Sequence, residues 1–174
     1  MKQKRERTFV MLKPDALHRG EIGSIISRIE DSGLKIVAID IRKPSQDLAK
    51  KHYGPEIAER HGETVRSNLV DYITEFAVIP MVVEGRNAVE KTRDLLGESF
   101  DPMDCSPGSI RGDLSSYSTE IADGEDIPIP NLVHASEDPE DARDEIDLWF
   151  DDDDIESYER PDVEYIKEKL GSNS

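Results

Sequence analysis

From Thr8 to Lys13 the chain is apolar and partly β-branched, and Pro14 with Asp15 stops the run, the pattern of a buried strand closed by a turn. Between Glu21 and Ser32, apolar Ile22, Ile25, Ile26 and Ile29 recur at helical spacing and Gly33 follows as a stop, which predicts an amphipathic helix. Residues 34–42 alternate, with Leu34, Ile36 and Ala38 on one side and Val37, Ile39 and Ile41 on the other, so the second strand should be covered on much of both faces. A β-α-β unit is complete by residue 42.

Residues 45–72 read as helical in two pieces, with Ser45 as N-cap and interruptions at Gly54-Pro55 and Gly62. Residues 76–83 form the next strand, in which Pro80 removes a ladder hydrogen bond and so predicts an edge position or a bulge. A helix over residues 87–96 stops at Gly97. Residues 98–130 carry few periodic signals and read as a long functional loop with one short helical turn. Residues 131–134 make a short last strand. Asp138 then caps a closing helix with Pro139 at its first position and Ala142, Ile146, Trp149 and Phe150 as its buried stripe. Val163, Ile166 and Leu170 are spaced for one more amphipathic helix. This order predicts an α+β fold: a ferredoxin-like split β-α-β sandwich, an antiparallel sheet with helices packed on one face, plus a helical insert and a C-terminal extension. Residues 1–150 are expected to form one domain, and residues 151–174 an acidic extension that belongs to the same domain or is partly flexible.

Composition narrows the functional classes. The 174 residues hold 22 Lys and Arg against 39 Asp and Glu, a formal net charge of −17 that argues against a protein coating nucleic acid. Any phosphate recognition must then come from a few placed cations. The excess is concentrated, because residues 137–168 carry 16 acidic and three basic side chains while the rest of the chain is nearly balanced. Acidity of this kind is a surface property suited to a host with high internal salt, where screening relieves self-repulsion. One cysteine, Cys105, forms no internal disulfide, and no apolar run approaches the roughly 20 residues of a membrane helix. The basic start has no signal-peptide pattern, so a cytoplasmic, reducing setting and no membrane association are expected.

Chemistry has to be found without the common signatures. There is no G-x-x-x-x-G-K-[ST] loop, no G-x-G-x-x-G after a strand and no Cys/His zinc pattern. Of the four histidines, His18, His52 and His61 have no distinctive setting, whereas His134 ends an apolar strand just after Asn131 and just before Ser136. A strand end presents a reactive group to a cleft, and a neighbouring hydroxyl and carboxylate fix which imidazole nitrogen is free. Lys13, ending the first strand, is either a solvated terminal lysine or a point charge for a phosphate. Arg111, within Pro107-Gly108-Ser109-Ile110-Arg111-Gly112-Asp113, either pairs with Asp113 or offers its planar donor fork to a ligand.

Taken in order, Lys13-Pro14-Asp15, His52-Tyr53, the run from Arg93 to Ser99, residues 107–113, Asn131-Leu132-Val133-His134-Ala135-Ser136 and Glu145 to Phe150 resemble the nucleoside diphosphate kinases over residues 6–150. The resemblance implies ping-pong transfer of the γ-phosphate of ATP or another nucleoside triphosphate to a nucleoside diphosphate through phosphorylated His134, with Mg²⁺ as cofactor held mainly by the phosphates. It implies nucleotide binding by Lys13, Tyr53, Arg93, Ser99, Arg111 and Asn131, support of His134 by Ser136 and Glu145, and assembly as a homo-oligomer, a hexamer or a tetramer. Departures from the family pattern are also visible. The segment between Tyr53 and Leu69 is longer, and Val65 falls where a base-stacking Phe is usual. Ser99 replaces Thr, Ala135 replaces Gly, and residues 114–130 are extended. Two rival readings accompany these departures: a catalytically silent nucleotide-binding homologue, and an acidic interaction protein.

Overall fold

The computed structural model describes residues 5–125 and 127–160, so the helix expected around Val163, Ile166 and Leu170 lies outside the described residues. Strand β1 (Arg5–Leu12) leads through α1 (Pro14–His18) and α2 (Ile22–Asp31) to β2 (Lys35–Ile39). The insert holds three helices, α3 (Gln46–His52), α4 (Pro55–His61) and α5 (Glu63–Glu75), broken where Gly54-Pro55 and Gly62 predict but one more than the two pieces expected. Ser45 caps α3 as expected, its hydroxyl accepting from the Leu48 N–H at 3.1 Å. Strand β3 (Ile79–Arg86) and α6 (Ala88–Leu96) follow. The segment expected to be mostly loop contains a 3-10 turn (Pro102–Asp104), α7 (Ile110–Leu114) and α8 (Thr119–Glu125), each too short to show a periodic pattern. Strand β4 (Val133–Ala135) and α9 (Pro139–Trp149) complete the unit, α9 capped by the Asp138 carboxylate on the Glu140 and Asp141 N–H groups.

The sheet runs β2-β3-β1-β4 with every neighbouring pair antiparallel, so β1 lies inside it. Phe9, Val10, Met11 and Leu12 are all fully buried, and their alternation feeds two cores. Val10 and Leu12 pack with Ile25 and Ile29 of α2, Leu96 of α6 and Ile110 of α7. Phe9 and Met11 face the other way, onto Ala49 of α3, Val70 and Ile73 of α5, and Ile146 and Trp149 of α9. Helices therefore cover both faces of the sheet rather than one. The insert and the closing helix supply the second layer, which is why β1 is apolar at every position from Phe9 to Leu12 rather than at alternate ones.

Pro80 also departs from expectation, because β3 is an inner strand. It stands opposite Met11 of β1, and its carbonyl accepts from the Asp40 N–H at 3.1 Å on the β2 side. The missing Pro N–H faces that same side, where the β2 ladder ends at Ile39 and resumes only as a single bridge between Arg42 and Val78. The register shift in this pairing lies instead between Ile36 and Ala38. Beyond α9 the chain turns back across β2, with the Glu156 N–H on the Val37 carbonyl at 2.8 Å and the Tyr158 hydroxyl on the Ile36 carbonyl at 2.9 Å.

Gly97 ends α6 at φ 114°, and a Cβ there would stand 2.7 Å from Cys105 Sγ and 3.1 Å from Ser109 Oγ. Its bareness lets the segment carrying Ser99 and Arg111 close onto α6. Gly108 has a comparable φ of 95° but open space around it. Gly97→Ala should destabilise the fold by about 1–3 kcal/mol from backbone strain plus a further loss from the clash, and Gly108→Ala by the strain alone. Urea denaturation of the two variants checks the difference.

Candidate active site

The end of β1, the turn before β4 and the middle of α9 converge at one edge of the sheet. His134 sits at the centre of β4, paired with Met11, and its Nε2 is 2.6 Å from Glu145 Oε1. The other Glu145 oxygen accepts from the Ser136 hydroxyl at 2.5 Å. Ser136 is buried and locked to β1, its backbone N–H donating to the Phe9 carbonyl at 3.2 Å and its Oγ accepting from the Phe9 N–H at 3.3 Å. An ionised carboxylate only accepts hydrogen bonds, so this pairing assigns the proton to Nε2 and leaves the Nδ1 lone pair available. Burial acts to raise the Glu145 pKa, but the charge and hydrogen bond of His134, with His52 and Ser136, outweigh it and hold the carboxyl below its ordinary value.

Lys13 follows β1 directly. Its ammonium is buried and donates to Asn131 Oδ1 at 2.7 Å, and the Asn131 amide donates to the Phe100 carbonyl at 2.8 Å. Burial and then the Arg111 charge lower the Lys13 pKa from 10.5 to about 8, against a smaller opposing effect of Asp15. Arg111, on α7, donates to the Ser99 carbonyl at 2.7 Å and the Val133 carbonyl at 2.8 Å, while its Nε is buried without a partner. Arg111 is thus held to the residue before His134 rather than paired with Asp113, which bonds Arg28 instead. Arg93 is exposed on α6, near enough for its charge to act on Arg111. Ser99 Oγ accepts from the Asp101 N–H at 3.1 Å.

The residue joining these two groups is Leu132. Its φ is 68°, and the Val133 N–H donates to the Asn131 carbonyl at 2.8 Å, closing a three-residue γ-turn in its rarer, strained form. Holding a leucine there costs about 1–3 kcal/mol, and it turns the chain so that Asn131 meets Lys13 while His134 meets Glu145.

Tyr53 ends α3, buried, with its hydroxyl unpartnered and its ring 4.7 Å from that of His52. Burial, and then the Glu145 charge, pushes its phenol well above its ordinary value. Val65 stands apart, 43% exposed on α5. Sequence reasoning passed over His52, whose fully buried ring lies 4.7 Å edge-on to His134, with Nδ1 accepting from Trp149 Nε1–H at 3.3 Å and 3.5 Å from Glu145 Oε1. Burial, followed by the charge of His134, lowers its pKa to about 3, so it stays neutral beside the nucleophile. The one available signal was its place immediately before Tyr53. Asp15 and Tyr72 were also missed as site residues; they bond each other at 2.7 Å beneath the Leu132 turn.

Among the described residues, one group of His, Cys, Asp or Glu side chains is close enough to share a metal ion, His52, His134 and Glu145, within 4.8 Å of one another. Two imidazoles and one carboxylate are a poor match for Mg²⁺, which prefers oxygen ligands, and Lys13 and Arg111 oppose a cation held by protein alone. No helix among the described residues is long and apolar enough to cross a membrane.

A histidine with one nitrogen anchored and the other free, beside a buried ammonium and a fixed guanidinium, defines a site for nucleophilic phosphoryl transfer. A family model described as nucleoside diphosphate kinase matches residues 6–155. The nucleoside diphosphate kinase of Archaeoglobus fulgidus is 43% identical over 94% of this chain and 99% of its own length, and that of Pyrococcus abyssi 47% identical over 90% and 91%. Among solved structures, the Borrelia burgdorferi nucleoside-diphosphate kinase with bound vanadate and ADP, a transition state mimic, superposes with a TM-score of 0.88 at 39% identity, covering 91% of this chain and 95% of that one. A halophilic nucleoside diphosphate kinase from Halobacterium salinarum in complex with CDP does so with 0.79 at 37% identity, covering 94% and 99%. The chain belongs to the nucleoside diphosphate kinase family.

Because the folded-state pKa of Lys13 lies below its ordinary value, the buried ammonium costs stability below about pH 8, and that cost fades as pH rises toward 10.5. The same titration should appear in catalysis. The kcat/KM for a nucleoside triphosphate should fall roughly tenfold per unit as pH rises above about 8, as the ammonium loses its charge. In Lys13→Arg that alkaline limb should move out of the accessible range, as a pH profile of the two proteins would record.

Proposed function

We propose that this phosphotransferase moves the γ-phosphoryl group of a nucleoside triphosphate to a nucleoside diphosphate in two half-reactions through His134. The observation that carries the reading is the commitment of His134 Nε2 to Glu145, which leaves Nδ1 as the nucleophile. In the first half-reaction Nδ1 attacks the γ-phosphorus, the bond to the β-γ bridging oxygen breaks, and the diphosphate leaves. The imidazole becomes cationic while keeping its Nε2 proton, and the Glu145 carboxylate stabilises that charge. In the second, a terminal oxygen of another diphosphate attacks the phosphohistidine and restores neutral His134. Donor and acceptor are chemically alike, so one site serves both directions.

The remaining residues bind and orient. Lys13 and Arg111 neutralise charge on the transferring oxygens, Asn131 and Tyr53 offer donors beside them, and Arg93 and Ser99 hold the nucleotide's phosphates and sugar. Val65 supplies apolar contact to the base, reading no base edge, so the enzyme tolerates many bases. The nucleotide's phosphates would hold Mg²⁺, which would supply neutralisation of their charge. The silent-homologue reading has no support in the geometry, since nucleophile, carboxylate and serine are joined by short hydrogen bonds. Assembly as a hexamer or tetramer is in keeping with Ile39 and Ile41, exposed on and just beyond the edge strand β2, and a cytoplasmic setting with the unpaired thiol of Cys105.

Incubation with γ-labelled ATP and Mg²⁺ should place an acid-labile, base-stable label on the protein. His134→Gln should take up none, and Glu145→Gln should label about 10²-fold more slowly. Absence of label on the unaltered protein, or uptake by His134→Gln, would overturn the mechanism.

A further inference from the structure

The Leu132 turn is held from two sides by groups that the phosphoryl chemistry does not itself use. The Leu132 carbonyl accepts from the Lys13 backbone N–H at 2.8 Å. The Leu132 N–H donates to Asp15 Oδ2 at 2.8 Å, and the other Asp15 oxygen accepts from the Tyr72 hydroxyl at 2.7 Å. Tyr72 Oη in turn accepts from the Asp15 backbone N–H at 3.1 Å, so the two residues grip each other twice. Asp15 lies in the first turn of α1, where an acid ordinarily serves the helix end, but here both carboxylate oxygens are spent on partners outside that helix. Tyr72 reaches it from α5, its ring packed against the core beneath β1.

We propose that Asp15 and Tyr72 are positioning residues: the pair holds Leu132 at positive φ and thereby sets Asn131 against Lys13 and His134 against Glu145. The need for such a device follows from how little of the sheet fixes this segment. Strand β4 is three residues long, lies at the sheet edge and pairs with β1 alone. A leucine left to itself relaxes out of the left-handed region, and the peptide between Asn131 and Leu132 rotates with it. Once the Leu132 N–H loses its charged acceptor, the Lys13 backbone bond, the Asn131 side-chain bonds, Arg111 on the Val133 carbonyl and the buried Leu132 side chain remain, but none of them holds the Leu132 N–H. Burial, and then the charge of Asp15, raises the Tyr72 phenol well above its ordinary value, so the hydroxyl keeps the proton it donates.

This inference rests on His134 being the phosphorylated residue, and the test separates the two. Single-turnover labelling by γ-labelled ATP and Mg²⁺ is timed for the unaltered protein, for Tyr72→Phe, and for both again with Leu132→Gly. Tyr72→Phe should label to completion but about tenfold more slowly, a misplacement effect. Glycine adopts positive φ without a Cβ penalty, so with Leu132→Gly the turn no longer needs the pair, and adding Tyr72→Phe should then cost less than about twofold. An equal loss in both backgrounds means that Tyr72 acts only through general stability and overturns the proposal. If Leu132→Gly does not fold, the single variant decides: Tyr72→Phe labelling at the unaltered rate overturns it, and slowed labelling at full amplitude supports it. Failure of the unaltered protein to label overturns the His134 reading and this proposal together.

Discussion

Both oxygens of the Glu145 carboxylate are committed, one to His134 and one to Ser136, and nearly every feature around the site serves that bridge. Its partners come from β4 and the residue just after it, its backbone from α9, and the two are brought together by packing on β1, where Phe9 stacks on Trp149 with ring centroids 5.5 Å apart. A largely buried carboxylate without partners would take up a proton and stop orienting the imidazole. Short, charge-assisted bonds keep it ionised, and the neutral His52 beside it adds a polar wall that brings no competing positive charge. The second helical layer over the sheet, built from the insert and α9, is what carries this bridge.

The site holds two cations, the buried Lys13 and the half-buried Arg111, in a chain whose net charge is −17. The Arg111 charge lowers the preference of Lys13 for its own, yet both are anchored through uncharged oxygens, those of Asn131, Ser99 and Val133. A cation bound to a carbonyl keeps its full charge for an incoming phosphate, whereas one paired to a carboxylate would have to surrender a partner first. Asp151 to Asp154, Glu156 and Glu159, beyond α9, lie on the surface, and at physiological salt their field decays over about 8 Å. Net charge and site potential are therefore set by different residues. Recognition of a polyanionic substrate by an acidic protein needs no further explanation.

Much of this was legible in the residues. The apolar spacing of α2, the Asp138-Pro139 start of α9 and the Ser45 cap of α3 follow from local physics and appear where expected. His134 was marked by its neighbours at the end of an apolar strand, and Lys13 by its place after β1. Four things were not legible, each for a reason of range. Pro80 looked like an edge residue because a missing donor is a local fact, while the gap in the β2 ladder that accommodates it is a tertiary one. Helices on both faces depended on where a distant insert packs. The short helices α7 and α8 span too few turns to leave a period. His52, Asp15 and Tyr72 act across 57 or more positions of sequence, through contacts to Trp149, Leu132 and one another, and no spacing rule connects them.

The central claim is that hydrogen bonding to Glu145 decides which imidazole nitrogen reacts. Nitrogen-15 NMR of the histidine-labelled, phosphorylated protein reads this directly, since phosphorus coupling identifies the bonded nitrogen. The account predicts phosphate on Nδ1 of His134, with Nε2 still protonated. Phosphate on Nε2 of His134, or on the nitrogen of any other histidine, would contradict it.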